Sequence, residues 1–433
     1  MLSQDQYNSY IKILKEELVP AMGCTEPIAI AYAAAKAAEV LAEKISRLHV
    51  SCSGKIVKNV KGVIVPNSGG QKGIEAAAIL GAVGGDPSKE LEVISNATDE
   101  ARAVTRDLVR KNICTVSLAE DVPNLYIEVT AEGENHKSTV KIENFHTNIT
   151  LIKRDDEILV ERQPEKVSVK TQSSADRNVM TLKGIIDFAD TLKISDVEEI
   201  FDRQVDYNVR ISQEGLDNKW GACIGKTIIE TWGNDVRSCA CARAAAGSDA
   251  RMSGCPLPVV INSGSGNQGI TVTLPVVEYA EKWRISREKM YRALAVSNLV
   301  SLYIKHYIGS LSAFCGAVSA ASGAGAAITY MAGGDYASVG RTITNTLANV
   351  GGIVCDGAKP SCAAKIASSV HAAILAHHMS MNHEQFMGGE GFVEEDVERT
   401  IKNMGYIGKI GMKETDREIL NVMIDRVDVD SCL

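Results

Sequence analysis

The chain has 433 residues, of which 45% are hydrophobic and 23% charged, so it carries enough apolar material for a packed core and is not mainly disordered. Lys and Arg number 46 against 54 Asp and Glu, a formal charge of −8, and neither nucleic-acid phosphates nor an anionic membrane surface finds the clustered basic residues it needs. Only 5% of residues are aromatic while glycines number 36, which points to backbones packed closely through small side chains.

Residues 4–18 place apolar positions at helical spacing among charges, without the uninterrupted apolar stretch of a signal peptide. A cytoplasmic chain is therefore expected, in which the 11 cysteines serve as ligands, catalysts or small buried side chains rather than disulfides. A second helix should start at Thr25-Glu26-Pro27, since Pro and Glu both suit a first helical turn. LHVSCSG and GVIVP read as strands, followed by the loop PNSGGQKG and an Ala-rich helix ending near Gly84. After a helix near 98–111, the alternating runs ICTVSLA, LYIEVTAE, STVKIEN and NITLIKR read as strands of period two. Helices return over 180–218, and Ala/Gly-rich helices continue to about residue 390, with a last amphipathic helix near 414–427. The uncharged stretch 311–332 is mostly Ala, Gly and Ser, and predicts a buried central helix rather than a membrane span. The expected class is α+β and predominantly helical: an Ala/Gly-rich catalytic body from residues 1–90 and 176–433, with a small α+β domain over 91–175 inserted into it.

Four cysteines stand out chemically. Cys355 and Cys362 bracket CDGAKPSC, where Gly357 and Pro360 interrupt regular structure and Asp356 or Ser361 is placed to cap the next helix. Cys315 lies within the small-residue helix, where neighbouring glycines leave room for a bulky group. Three thiolates without an evident fourth partner suit an iron–sulfur cluster with one open iron. Cys24, in GCTEP, precedes a helix start, whose dipole and free N–H groups favour a thiolate. It fits a nucleophile, a general base or a fourth ligand. The loops NSGGQ (Asn67, Ser68, Gln71) and NSGSGNQG (Ser263, Asn267, Gln268) echo one another, and each offers N–H groups and polar side chains to a carboxylate. His146 reads more readily as a solvated loop residue than as an acid–base group, and HHMSMNH (377–383) as helical surface or a partner contact. Cys223, Cys239, Cys241 and Cys255 lack the C-x₂-C pairs of a zinc site, and Lys226 and Lys359 lack a phosphate cup for pyridoxal phosphate.

GCTEP, NSGSGNQG, FCGAVSAASGAGAAI and GGIVCDGAKPSCAAKIA together resemble the L-cysteine desulfidase family, which is related to the alpha chain of the iron–sulfur L-serine dehydratases. The resemblance runs over nearly the whole chain. It implies a [4Fe–4S] enzyme that converts L-cysteine to pyruvate, ammonia and sulfide without pyridoxal phosphate, and a homodimer. Cys315, Cys355 and Cys362 match the family's cluster cysteines and Cys24 its N-terminal active-site cysteine. An L-serine dehydratase with the same cluster, and a non-catalytic iron–sulfur or amino-acid sensor, are the competing expectations.

Overall fold

The computed structural model describes residues 2–162, 175–309 and 312–432. Its elements, in chain order, begin with α1 (Gln4–Glu17), β1 (Pro20–Met22), α2 (Thr25–Leu41), β2 (Arg47–Ser53), α3 (Gly54–Val60), α4 (Gly73–Gly84) and α5 (Asp99–Arg110). The strands β3 (Cys114–Ala119), β4 (Tyr126–Glu132), β5 (Lys137–Glu143), β6 (Ile149–Arg154) and β7 (Glu157–Glu161) follow. The helical body then runs through α6 (Leu182–Thr191), α7 (Glu198–Asp217), α8 (Ile224–Trp232), α9 (Val236–Met252), β8 (Pro258–Val260), α10 (Gly266–Lys282) and α11 (Arg287–Ile308). It closes with α12 (Gly316–Met331), α13 (Tyr336–Val350), α14 (Ser361–Met381), α15 (Val397–Tyr406), α16 (Lys413–Met423) and α17 (Val429–Cys432). The chain is thus predominantly helical α+β.

The main sheet has the order β3-β2-β4-β5-β6-β7, parallel between β2 and β3 and antiparallel elsewhere. Alternation sets its inner face: Val50, Val129 and Val140 lie opposite one another, beside Ile127 paired with Ile142, and all are fully buried. The Ala-rich α2 and α4 cover that face, with α5 behind α4. The sheet therefore reaches outside the expected 91–175 segment. Strand β2, from the first ninety residues, is an interior strand between β3 and β4, and residues 24–152 share one apolar core. GVIVP is not a strand. Val63 and Val65 are buried, but the chain folds back on itself through an isolated bridge between Ile64 and Lys72.

The second core joins α1 to the helices after residue 175. At its centre α12 packs against α10, α11, α13 and α14, as the run of small residues predicted. Leu311, at the start of that run, lies outside the described residues. Gly323 shows why the residues are small: a β-carbon there would fall 2.3 Å from the Ser297 carbonyl oxygen on α11. Among the described residues no helix is long and apolar enough to cross a membrane. The two cores are tied by β1 and β8, which pair antiparallel with Pro20 opposite Val260. That ribbon brings the start of α2 against the turn before α10.

Candidate active site

Where the two cores meet, a cavity of about 120 Å³ is lined by Cys24, Cys315, Cys355 and Cys362 together. The backbone explains the grouping. Phe314 and Val354 form an isolated antiparallel bridge, Cys315 N–H donates to Ile353 O at 3.1 Å and Cys355 N–H to Ala313 O at 2.6 Å. Side chains alternate along such a pair, so Cys315 and Cys355 project from the same face. Cys315 is the N-cap of α12 rather than a residue within it, and Cys362 sits in the first turn of α14. Neither expected cap forms there. Pro360 occupies the N-cap of α14 without a side-chain bond, while Asp356 pairs with Lys359 and Lys365. Burial pushes the Asp356 carboxyl up, but those two lysines outweigh it and hold it at about 2. The 355–362 segment is anchored to α3 by Lys58, whose ammonium donates to Cys355 O at 3.2 Å and pairs with Asp416 of α16.

The thiols are shielded. Burial, then the neighbouring Cys355, pushes Cys315 up to about 12, and burial also raises Cys362. Thiols so placed ionise only against added positive charge. Some is built in: Lys55, Lys58, Arg251 and Lys305 line the same cavity, and Lys305, in the last turn of α11, is 5% exposed. Burial lowers Lys305 to about 8, against the pull of Cys355 and Cys315.

Cys24 is the N-cap of α2, as expected, but its thiol is not activated there. Burial first, and then the Glu26 carboxylate, raise it well above the ordinary range. Its Sγ–H donates to Glu26 Oε2 at 3.0 Å. Glu26 also accepts from Thr25 Oγ1 at 3.1 Å and from Asn59 Nδ2 at 2.9 Å. Burial works against the Glu26 charge, but His146, the Cys24 bond and Arg251 outweigh it and the carboxyl is lowered. The ionised end of this pair is therefore the carboxylate.

The two echoing loops have different roles. Ser265, Asn267 and Gln268 line the cavity, and Ser263 lines a second cavity next to it. Arg251, 2% exposed, donates to Asn267 Oδ1 at 3.1 Å, leaving its Nε buried without a partner among the described residues, like Gln268 Oε1. Such atoms mark a place where polar ligand atoms would be welcome. Asn67, Ser68 and Gln71 line neither cavity. Asn67 Nδ2 donates to the carbonyls of Ile94, Ser95 and Ala97, and Ser68 Oγ closes its own turn against Gln71. They hold a turn together, apart from the residues that line the two cavities. His146 departs from its reading too: it stands at the second cavity beside Glu26 and Gly264, with Nε2 buried. His377, expected at the surface, is 3% exposed and bonded to Thr329 Oγ1 at 2.9 Å.

Residues 88–421 match the family model described as serine dehydratase alpha chain. The chain belongs to that family. Full-length relatives share the group name UPF0597 protein. One from Desulfitobacterium hafniense is 48% identical, covering 98% of this chain and 99% of the relative. Others from Lachnoclostridium phytofermentans and Finegoldia magna are 48% and 46% identical, covering 97% and 96% of this chain and 100% of each relative. Serine dehydratase alpha chains of this kind are associated with iron–sulfur clusters, and a lyase-type enzyme follows from the family. The match takes in Cys315, Cys355, Cys362, Arg251 and Lys305, whereas Cys24 and Glu26 lie before it. Sequence reasoning passed over Arg251, Lys305 and Lys58. The available signal was a lone cation in an apolar or Ala-rich run, such as SLYIKHYI.

Proposed function

We propose that this chain is an iron–sulfur lyase that eliminates the β-substituent of a small L-amino acid, L-cysteine before L-serine, yielding pyruvate, ammonia and sulfide. One observation carries the reading: Cys315, Cys355 and Cys362 share a small buried cavity with Cys24 and four basic side chains. Cysteines ligating a cluster bind different irons and need not converge on a single point. Among the described residues no three His, Cys, Asp or Glu side chains are grouped to hold a single ion. A cluster carrying three thiolates is anionic overall, and Lys58 and Lys305 are buried where they offset that charge. When bound, the cluster supplies an open iron as Lewis acid for the leaving sulfur.

The other steps belong to side chains. Arg251, held by Asn267, binds the substrate carboxylate through charge-assisted hydrogen bonds. Gln268 lies over Gly316, where a β-carbon would come within 2.6 Å of its Cδ, and presents its amide to the same space. The Cys24–Glu26 pair takes the α-proton: the sulfur receives it while its own proton passes to the carboxylate. The resulting aminoacrylate tautomerises and hydrolyses unaided.

Alanine at 315, 355 or 362 is expected to abolish the cluster's visible absorbance, whereas Cys24→Ala keeps it and stops turnover. Loss of both in Cys24→Ala would place Cys24 among the ligands instead. The family's own description favours serine as a second reading, and relative kcat/KM for cysteine and serine in one assay separates the two. Tight amino-acid binding without pyruvate would mark a sensor.

A further inference from the structure

A second cavity of about 610 Å³ opens between the sheet unit and the helical body, lined by Leu125, Phe145 and His146 on one side and by Ile261, Ser263 and Arg177 on the other. Three residues, Glu26, Ser265 and Gln268, line both this cavity and the cysteine cavity, so they form the wall between the two. On the outer side of that wall stands His146, carried by the turn between β5 and β6. Its Cε1 lies 3.6 Å from where a β-carbon on Gly264 would be, and its Nε2 is buried without a hydrogen-bond partner among the described residues. Glu26 reaches it electrostatically, and nothing in the cysteine chemistry uses it.

We propose that His146 carries the abstracted proton from Glu26 to the outer cavity, so that Cys24, Glu26 and His146 form one proton path through the wall. The inference rests on the elimination reading above and adds a residue to it. The balance is simple. The Cα–H electron pair becomes the Cα=Cβ bond, the C–S pair leaves with HS⁻, and the α-proton passes through Cys24 to Glu26. Transfer to His146 and then to water in the outer cavity restores the Glu26 carboxylate. L-cysteine has then lost HS⁻ and H⁺, with no change of oxidation state elsewhere.

The placement suits the task. Glu26 is held by Cys24, Thr25 and Asn59 on the cysteine side and also lines the outer cavity where His146 stands. The charged groups facing His146 are Glu26 from α2, Glu16 and Glu17 from α1, and Arg177, which pairs with both of those glutamates. Arg251 acts on Glu26 from the far side of the wall. Burial lowers the imidazole and Glu26 offsets that only in part, so the net shift is downward and a proton taken from Glu26 is readily passed on.

The test uses the cluster-loaded full-length chain with His146→Ala, His146→Gln and Glu26→Gln. His146→Ala should lose about a hundredfold in kcat with KM within about twofold, the scale of a lost proton-transfer group. Added imidazole, entering through the outer cavity, should restore a good part of that rate. It should not help His146→Gln, whose amide fills the space. Independently of turnover, the His146 signal in ¹³C-histidine-labelled protein should titrate lower in Glu26→Gln than in wild type. Full kcat in His146→Ala, a loss without imidazole rescue, or a His146 titration indifferent to Glu26→Gln in an active enzyme would overturn the path while sparing the elimination. A coupled His146 titration in a wild type that makes pyruvate from neither cysteine nor serine would overturn the elimination reading, and the path with it.

Discussion

Gly357 lies between Cys355 and Cys362 and touches α3 at its backbone. Its φ is +94°, a region that costs a residue with a β-carbon about 1–2 kcal/mol, and that β-carbon would fall 2.2 Å from Lys58 O. Relieving so close a contact moves the 355–362 segment or α3 by about 1 Å, given that carbon and oxygen need more than about 3 Å. Either movement also disturbs the Lys58 bond to Cys355 O. Gly357→Ala should therefore fold with a stability deficit of about 2–3 kcal/mol and hold two of the three cluster thiols out of place. Displacement of about 1 Å at a reacting centre costs on the order of a hundredfold in rate. The assay is anaerobic reconstitution, with iron and sulfide counted per chain and pyruvate followed from L-cysteine. Gly352→Ala is the matched control, because a β-carbon there meets nothing within 4 Å. Iron content and turnover in Gly357→Ala within twofold of the control would refute the reasoning.

Arg251→Lys keeps the charge but loses the planar fork; a lost charge-assisted bond of about 1.5–3 kcal/mol predicts KM raised by about 10- to 100-fold with kcat little changed, and an unaltered KM would remove Arg251 from carboxylate binding. Asn67→Ala should leave kcat and KM alone and lower Tm by about 1–3 °C, the effect of losing a buried bond network in a chain of this size; a raised KM would return that loop to the substrate. His377 is lowered to about 4 by burial first and His378 second. Its folded value lies below its unfolded one, so between about pH 6.5 and 4 the unfolded state binds the extra proton and stability falls as pH drops. The loss approaches about 3 kcal/mol across that window. His377→Gln should remove it, so that Tm falls less steeply with acid in the variant, and parallel Tm curves would contradict the assignment.

Much of the fold is legible in local signals. The start of α2 at Thr25 and the period-two strands after residue 113 follow from chemistry within a few residues. GVIVP illustrates the limit: its apolar side chains are buried, but burial alone does not distinguish a strand from a folded-back loop. Strand β2 reads correctly as a strand, yet its place between β3 and β4 depends on segments some sixty and eighty residues later. Among the site residues, the four cysteines are visible as motifs. The cations facing them are not, because Arg251 and Lys305 come from separate helices that only the tertiary fold brings together. The thiol of Cys24 shows an expectation reversed. A helix start predicts a lowered thiol, but burial raises it, and the Glu26 carboxylate supplied by the same turn raises it further. The two Asn-Ser-Gly loops share a pattern and differ in use, since only the one before α10 is drawn against Cys24, by the pairing of β1 with β8 and by Thr25 Oγ1 donating to Gly264 O at 3.0 Å.

The most direct test of the central claim is anaerobic purification, followed by iron and acid-labile sulfide analysis and a pyruvate assay on L-cysteine. The account predicts about four irons per chain, with sulfide and pyruvate released in equal amounts. A chain without iron that makes no pyruvate after anaerobic reconstitution would contradict it.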